Sequence, residues 1–343
     1  MKIDFLNDVK DVVMKDKETF SIIKGKEDVK EHLKSTLLLG RHVILVGPPG
    51  VGKTTLAKSA ANLLPSIKVN NCGFNCPPNE PSCPLCKNKK QEIKEIPERF
   101  VRIQGSPDLT VEDLIGDIDP IKALKYGPLS LEAFTPGKIF KANQGILFFD
   151  EVNRCPERLQ NSLLQVLEEG RATISNYSFE FPANFILIAT MNPEDSSTER
   201  LSDVFLDRFD VIYMGYPETP EIEEEIVKMN ENEIGVEFPD SLLSFTVSFI
   251  HHLRKNKDLE KKPSVRATIG IVERAKAYAL LRERKKVTFN DIKDTLISVL
   301  SHRIRLKPSL KYLKSTTEFL EENLNSFTEK NPDILDSKES DLP

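Results

Sequence analysis

The residues whose types and spacing most directly suggest chemistry are Gly47-Pro48-Pro49-Gly50-Val51-Gly52-Lys53-Thr54. They follow the apolar run Val43-Ile44-Leu45-Val46 and open into the helix-favouring Thr55-Leu56-Ala57-Lys58-Ser59-Ala60-Ala61. The glycines let backbone N–H groups curl around a polyphosphate, and the following helix offers its positive N-terminal dipole. Lys53 is then placed to neutralise the β- and γ-phosphates, the Thr54 hydroxyl to bind Mg²⁺, and Thr55 to complete the phosphate-facing turn. A Gly/Pro-rich strand-to-helix turn is the plain alternative. The complete G-x-x-x-x-G-K-T spacing between a strand and a helix argues instead for a P-loop.

Two further groups fit a nucleotide machine. Gly145-Ile146-Leu147-Phe148-Phe149-Asp150-Glu151 is a continuous apolar run ending in two acids, as expected of a parallel strand buried on both faces. Alone this is an ordinary strand end. After a P-loop it has the Walker B pattern, with Asp150 in the Mg²⁺ shell and Glu151 polarising the attacking water. Phe185-Ile186-Leu187-Ile188-Ala189 likewise delivers Thr190-Met191-Asn192-Pro193 at a strand's C-terminal end, where α/β sheets place ligand-binding groups. The Asn192 amide is both donor and acceptor, so it suits a γ-phosphate oxygen and the lytic water together.

Four of the five cysteines lie in one segment, as Cys72-x₃-Cys76 and Cys83-x₂-Cys86. Two thiolates on a short turn can meet one ion, and two such turns close a tetrahedron. Zinc is the first choice of metal and an iron–sulfur cluster the second; four unligated thiols are the alternative to both. Cys155, directly before Pro156, stands outside this set.

These groups need elements to hold them. The chain has 343 residues, enough for more than one domain. Its 48 Lys+Arg against 53 Asp+Glu give a net charge of −5, so no overall positive field draws it to nucleic acid or anionic lipid. The N-terminus lacks a signal-peptide core and no apolar run approaches a membrane span, so a soluble cytoplasmic protein is expected. Val29, Leu33 and Leu37 mark a helix face before the P-loop. The cysteine segment reads as an insertion at about 70–90. Phe100-Val101-Arg102-Ile103 reads as a strand, and 109–115 as a short helix with Thr110 and Asp113 at capping-box spacing. Proline and glycine then punctuate 119–138, suggesting an extended insertion. A helix follows over 156–169 with Gly170 as its stop, then a hairpin over 171–182 around Ser175-Asn176. Residues 201–209 read as helical and 211–214 as a short strand. Beyond Pro217 and Pro220 the chain reads as helices over 221–229, 240–253, 265–282 and 291–301, the last opened by Thr288 and Asp291. From about Thr328 to Pro343 it reads as a polar tail.

With the P-loop, Asp150-Glu151, Asn192, Asp207-Arg208-Phe209 and a helical lid in this order, the chain resembles an AAA+ ATPase over about residues 20–302. Within that family it looks most like the magnesium chelatase ATPase subunit and MoxR-type ATPases, on Lys138 to Arg154, Leu163 to Gly170 and Ala189 to Pro193. The resemblance implies a P-loop α/β core with a parallel sheet flanked by helices, a C-terminal all-helical lid and, outside the family pattern, the four-Cys insertion. It implies domains over 1–216 and 217–302, with 303–343 as a C-terminal helix and tail. It implies insertions at about 116–140 and 171–182. It makes Asn192 sensor 1, Arg208 an arginine finger acting on a neighbouring subunit, and Arg266 of Ser264-Val265-Arg266-Ala267 the sensor 2 arginine. Taken alone, Arg208 reads as a salt-bridge partner of Asp207 or Asp210, and Arg266 as a solvated helix-start cation.

The expectation is an ATP- and Mg²⁺-dependent motor in a homo-oligomeric, hexameric ring that remodels a partner protein. That partner is of the chelatase or adhesion-domain kind, on a separate subunit because these residues include no such domain. The rival is a DNA-translocating motor, since relatives with the same hairpin move along DNA. Arg171 is the lone basic residue in 171–182, which is not the basic stripe that phosphate tracking requires, so nucleic acid is not an expected partner.

Overall fold

The computed structural model describes residues 6–15, 20–79, 81–86, 90–174, 180–193 and 201–331. The chain divides into two units, Met1–Gly47 with Gly52–Met214, and Pro48–Val51 with Gly215–Pro343.

The first unit is built on five parallel strands: β1 (His42–Val46), β2 (Phe100–Gln104), β3 (Ile146–Asp150), β4 (Ile186–Met191) and β5 (Phe209–Tyr213), in the order β5-β1-β4-β3-β2. The central three are almost wholly apolar and buried, because helices cover both faces of a parallel sheet. At the edges, β2 and β5 mix buried, half-buried and exposed positions. The register pairs Val46 with Met191 and Gln104 with Asp150, so the carboxyl ends of four adjacent strands stand at one level. Helix α1 (Glu27–Leu39) buries Val29, Leu33 and Leu37, α2 (Lys53–Ala61) buries Leu56, Ala57 and Ala60, and α3 (Glu157–Glu169) buries Leu159, Leu163 and Val166. Gly170 ends α3 in the left-handed conformation.

Three excursions leave this core. Strands Ile67–Asn70 and Gln91–Lys94 pair antiparallel, so the cysteine segment is the loop of a hairpin anchored at both ends. Residues 116–136 close on a second antiparallel pair, Gly116–Ile118 with Phe134–Pro136, carrying a short helix Pro120–Tyr126 capped by Asp119. Arg171–Thr173 pairs with Glu180–Pro182 as the third; the expected hairpin tip at Ser175-Asn176 lies outside the described residues. The capping box of Thr110 and Asp113 forms as the spacing predicts.

One expected helix is shorter than the sequence suggests. Within 201–209, only Asp203–Leu206 is helical, because pairing of Phe209 and Asp210 with His42 and Val43 draws them into β5.

The second unit is helical: α4 (Pro220–Asn230), α5 (Asp240–Lys255), α6 (Val265–Leu281), α7 (Phe289–Leu300) and α8 (Thr316–Lys330), with a small antiparallel pair Leu259–Lys261 and Arg305–Leu306. Its core combines Phe245, Phe249, Ile271 and Leu296 with Phe319, Leu320 and Leu324 of α8. That helix runs to Lys330, so the residues from Thr328 that read as a polar tail are still helical; 332–343 lie outside the described residues. Buried Glu223 accepts from Arg254, at 2.9 Å from Nη2, and from Thr268 Oγ1 at 2.5 Å, tying α4, α5 and α6 together. Among the described residues, no helix is long and apolar enough to cross a membrane.

His42 at the start of β1 makes the fold sensitive to acid. Its Nδ1 accepts from the Leu187 amide at 3.0 Å, which leaves the proton on Nε2, 3.3 Å from the Leu167 carbonyl. Burial lowers its pKa from 6.5 to about 4. The unfolded chain therefore binds more protons between these values, so this stability is present above pH 6.5 and is lost as pH falls toward 4. The loss amounts to about 3 kcal/mol. Urea midpoints at pH 7 and 4.5 for parent and His42→Gln check this. The parent should lose more stability across the interval than the variant, and equal losses would contradict it.

Candidate functional site

The carboxyl edge of the sheet gathers the chemistry-bearing groups by strand order. The loop after β1 leaves at Gly47, whose Cβ, if present, would stand 2.1 Å from the Met214 carbonyl oxygen. Glycine is required there because β5 passes too close for a side chain. Gly52 has φ +96 and sets the entry to α2, whose first residue Lys53 donates from Nζ to Gly47 O at 2.5 Å. Thr54 and Thr55 follow in the first helical turn, where backbone N–H groups lack intrahelical acceptors. The loop tip, Pro48, Pro49, Gly50 and Val51, groups with the helical unit. There a Cβ on Gly50 would stand 3.1 Å from Arg266 Cγ and from Ser264 Oγ, which places Arg266, at the start of α6, beside the tip.

Asp150 ends β3. Thr190 Oγ1, from neighbouring β4, donates to its Oδ1 at 2.6 Å, and Arg102 on β2 pairs with its Oδ2 at 2.6 Å. Glu151 takes the left-handed conformation, φ 56 and ψ 50, which is strained for a residue with a Cβ. Its amide donates to Thr190 Oγ1 at 2.9 Å, and its carboxylate receives Gln104 Nε2 at 3.1 Å and Arg154 at 2.9 Å. Gly105 is forced as well, since a Cβ there would stand 2.0 Å from the Glu151 carbonyl oxygen. Asn192 follows β4 directly, and its carbonyl accepts from Asn153 at 3.3 Å. The sheet thus brings Asp150, Glu151 and Asn192 beside the exit of β1 into the P-loop. Such an edge suits phosphoryl transfer, with one acid for a cation, a second for water, and an amide-bearing residue on the strand beside them.

Arg208 is not among them. It immediately precedes β5, whose first residue pairs with His42, whereas the P-loop leaves β1 beyond Val46. Four strand rises, about 13 Å, separate the two levels. Arg208 therefore stands at the amino edge of its own sheet. Its ion pair is with Glu168 at 3.0 Å rather than Asp207 or Asp210, and Asp210 pairs with Arg41 at 2.9 Å. Its Nη1 donates to Val204 O at 2.7 Å, and its Nε is buried without a hydrogen-bond partner.

Sequence reasoning missed Arg102, Gln104, Gly105, Arg154 and Thr190 as neighbours of the acids. For Arg102, Gln104 and Thr190 the signal is their place at or near the carboxyl ends of the two strands flanking β3, which is visible only once strand order is known.

The four cysteines converge. The Sγ atoms of Cys72, Cys76, Cys83 and Cys86 all lie within 4.8 Å of one another and all four residues are buried. A single tetrahedral zinc with Zn–S of about 2.3 Å sets its sulfurs about 3.8 Å apart, which this arrangement fits. The four ligand sulfurs of an iron–sulfur cluster are spread over two or four irons and so stand further apart across the set, so the cluster fits less well. Hydrogen bonds from Cys76 and Cys83 draw the Cys72 thiol far below its ordinary range, and the shared bonding with burial pushes Cys76 and Cys83 up, Cys83 to about 12. Four thiolates this close need a cation to ionise together. Cys155 is elsewhere, its Sγ donating to Val152 O at 2.9 Å.

The sequence matches three family models: magnesium chelatase, subunit ChlI, over residues 19–74; the ATPase family associated with various cellular activities (AAA) over 85–211; and the AAA lid domain over 253–323. It is 31% identical over 347 residues to the magnesium-chelatase subunit ChlI homolog of Methanocaldococcus jannaschii, spanning 91% of this chain and 92% of that protein. It is 29% identical over 326 residues to the magnesium-chelatase subunit ChlI of Nostoc sp., spanning 84% of each. Among solved structures it is similar to a complex between subunits BchI and BchD of magnesium chelatase, at 24% identity, 86% of this chain and 98% of that one, with a TM-score of 0.47. It is also similar to the Thermotoga maritima RuvB Holliday junction branch migration motor, at 18% identity, 81% and 70%, with a TM-score of 0.48.

Thr190 links the two acids, and removing its hydroxyl tests that link. On the expectation that Asp150 holds Mg²⁺, Thr190→Val should lower turnover about 10- to 100-fold, the usual cost of removing a hydrogen bond that orients a ligating carboxylate. Nucleotide affinity without Mg²⁺ should be unchanged. Parental turnover in this variant would show that the bridge positions nothing.

Proposed function

This chain belongs to the AAA+ ATPases, in the family of magnesium-chelatase subunit ChlI and its homologues, and from that footing we propose that it is a ring-forming ATP-driven motor that remodels a partner protein. ATP hydrolysis with Mg²⁺ comes with the family; the ring, its six-fold size and the partner are the proposal. The observation that carries it is the shared sheet edge, where β1 delivers the P-loop, β4 delivers Asn192 and β3 delivers Asp150 and Glu151.

In this reading the backbone of Gly47 to Thr55 cradles the phosphates and Lys53 neutralises the β- and γ-phosphates. Thr54 and Asp150 hold Mg²⁺, which supplies charge neutralisation on the transferred phosphoryl group. Glu151 orients and polarises water once its carboxylate gives up Gln104 or Arg154, and Asn192 bridges that water and the γ-phosphate. Arg266, beside the loop tip, contacts phosphate from the helical lid that begins near 217. Arg208 serves the neighbouring subunit's site, because the amino edge of its own sheet faces away from its own phosphates.

The partner is a separate subunit of the chelatase or adhesion-domain kind, as for MoxR-type motors, and the likeness to proteins named as magnesium-chelatase subunits supports that choice. The gathering of Cys72, Cys76, Cys83 and Cys86 as one thiol cluster, of the kind that suits metal binding in a reducing compartment, supports a cytoplasmic location. Cys72, Cys76, Cys83 and Cys86 hold one zinc ion, for which the Sγ spacing is the support, with an iron–sulfur cluster as the alternative.

Two variants test the assignment of roles. Lys53→Ala should abolish ATP binding, since Lys53 carries ground-state phosphate charge. Glu151→Gln should bind ATP at parental affinity and turn over about 10²- to 10⁴-fold more slowly, since that carboxylate acts only on the water. Equal turnover of Glu151→Gln and parent would defeat the assignment. Adding candidate partner proteins or duplex DNA to the parental ATPase assay tests the motor class: stimulation by a protein and not by DNA is expected, and stimulation by DNA alone would favour the nucleic-acid motor.

A further inference from the structure

The loop carrying the four cysteines has little apolar content, yet one of its residues is among the most buried in the molecule. Phe74 lies between Cys72 and Cys76 and is 0% exposed. Its ring stacks on Phe181 of the Arg171–Pro182 hairpin at 4.6 Å, meets Phe140 edge-on at 5.1 Å, and lies parallel to Phe134 at 6.3 Å. Phe134 opens the strand that closes the 116–136 insertion, so one ring touches both excursions from the core. Gly73 has φ +85, which strains any residue with a side chain, and a Cβ there would crowd Pro136 Cγ at 3.2 Å.

Polar contacts fix the same turn. Asn143 donates to Phe74 O at 2.8 Å and to Asn75 O at 3.2 Å, and Asn75 donates to Lys141 O at 2.8 Å. Asn143 Oδ1 in turn accepts from the Asn184 amide at 2.9 Å, two residues before β4. The turn from Cys72 to Cys76 is thus joined to the 116–136 insertion, to the hairpin and to the entry of the strand that carries Thr190. The four thiols add a further tie to that turn, joining Cys72 and Cys76 to Cys83 and Cys86.

We propose that the zinc ion at Cys72, Cys76, Cys83 and Cys86 is a staple that locks Phe74 as a wedge between the 116–136 insertion and the 171–182 hairpin. Metal loading then fixes both excursions without touching the nucleotide site. The consequence bears on the partner, because the insertion presents Ile121, Leu124 and Leu129 at 80%, 90% and 76% exposure, and the staple sets where they stand. This rests on the zinc reading given above, and the test separates the two.

The experiment measures metal content and hydrogen exchange on the full chain: parent, parent stripped with a chelator, Cys83→Ser and Phe74→Leu. The parent should carry about one zinc per chain. Stripped protein and Cys83→Ser should exchange at least about tenfold faster at 134–140 and 180–182, with α2 and the helical unit unchanged as internal evidence of folding. Phe74→Leu should keep its zinc and still exchange faster at both segments. A parent with no metal, purified anaerobically, overturns the metal reading itself. Zinc present in the parent with the same exchange at 134–140 and 180–182 after stripping overturns the staple alone.

Discussion

Parallel register is the constraint from which the rest follows. Each strand of the sheet can offer its carboxyl end to only one edge, and pairing of β4 between β1 and β3 brings the P-loop, Asn192 and the acid pair to adjacent places on it. The same rule sends whatever precedes a strand to the other edge. Arg208, directly before β5, is subject to it. The proposed action of Arg208 on a neighbouring copy follows from this placement, since the acids and Asn192 lie at the opposite edge of its own sheet.

The acids themselves are held by lateral neighbours rather than by sequence neighbours. Thr190 spans them, donating to Asp150 and accepting from Glu151, while Arg102 and Gln104 approach from β2. Glu151 is kept in the left-handed conformation and Gly105 yields the space for it. Strain of this kind costs of order 1–3 kcal/mol and persists only where surrounding contacts determine the backbone. Here the contacts are those of β2 and β4, so the site's geometry depends on the sheet more than on the loop that contains Glu151.

What could be read from the sequence divides along the same line. The P-loop, the Asp150-Glu151 strand, the α3 face and the lid helices were legible, because each is a local pattern of period, cap or glycine spacing. The four helices read over 221–301 emerged within two residues at each end, since Thr288 with Asp291 and the apolar spacing of α5 and α6 depend on nothing distant, whereas α8 packs into the same core from beyond the expected boundary at 302. Arg102, Gln104 and Thr190 were not legible as site residues, because their roles depend on which strands are neighbours. The Glu168 partner of Arg208 and the strand placement of Phe209 were missed for the same reason: tertiary pairing with β1 and α3 decided both. The cysteine spacing announced convergence, but the wedge made by Phe74 needed three partners from separate parts of the chain.

Whether Arg208 completes a neighbour's site is measured by mixing two inactive variants. Arg208→Ala retains Lys53 and Glu151, and Lys53→Ala retains Arg208, so a mixed ring contains some interfaces with both parts intact. The guanidinium at such a site contributes about 10³–10⁵ in turnover for arginine fingers generally. Each variant alone should be inactive, and the mixture should regain a measurable share of parental ATPase activity. Hydrolysis by Arg208→Ala alone at the parental rate would contradict it.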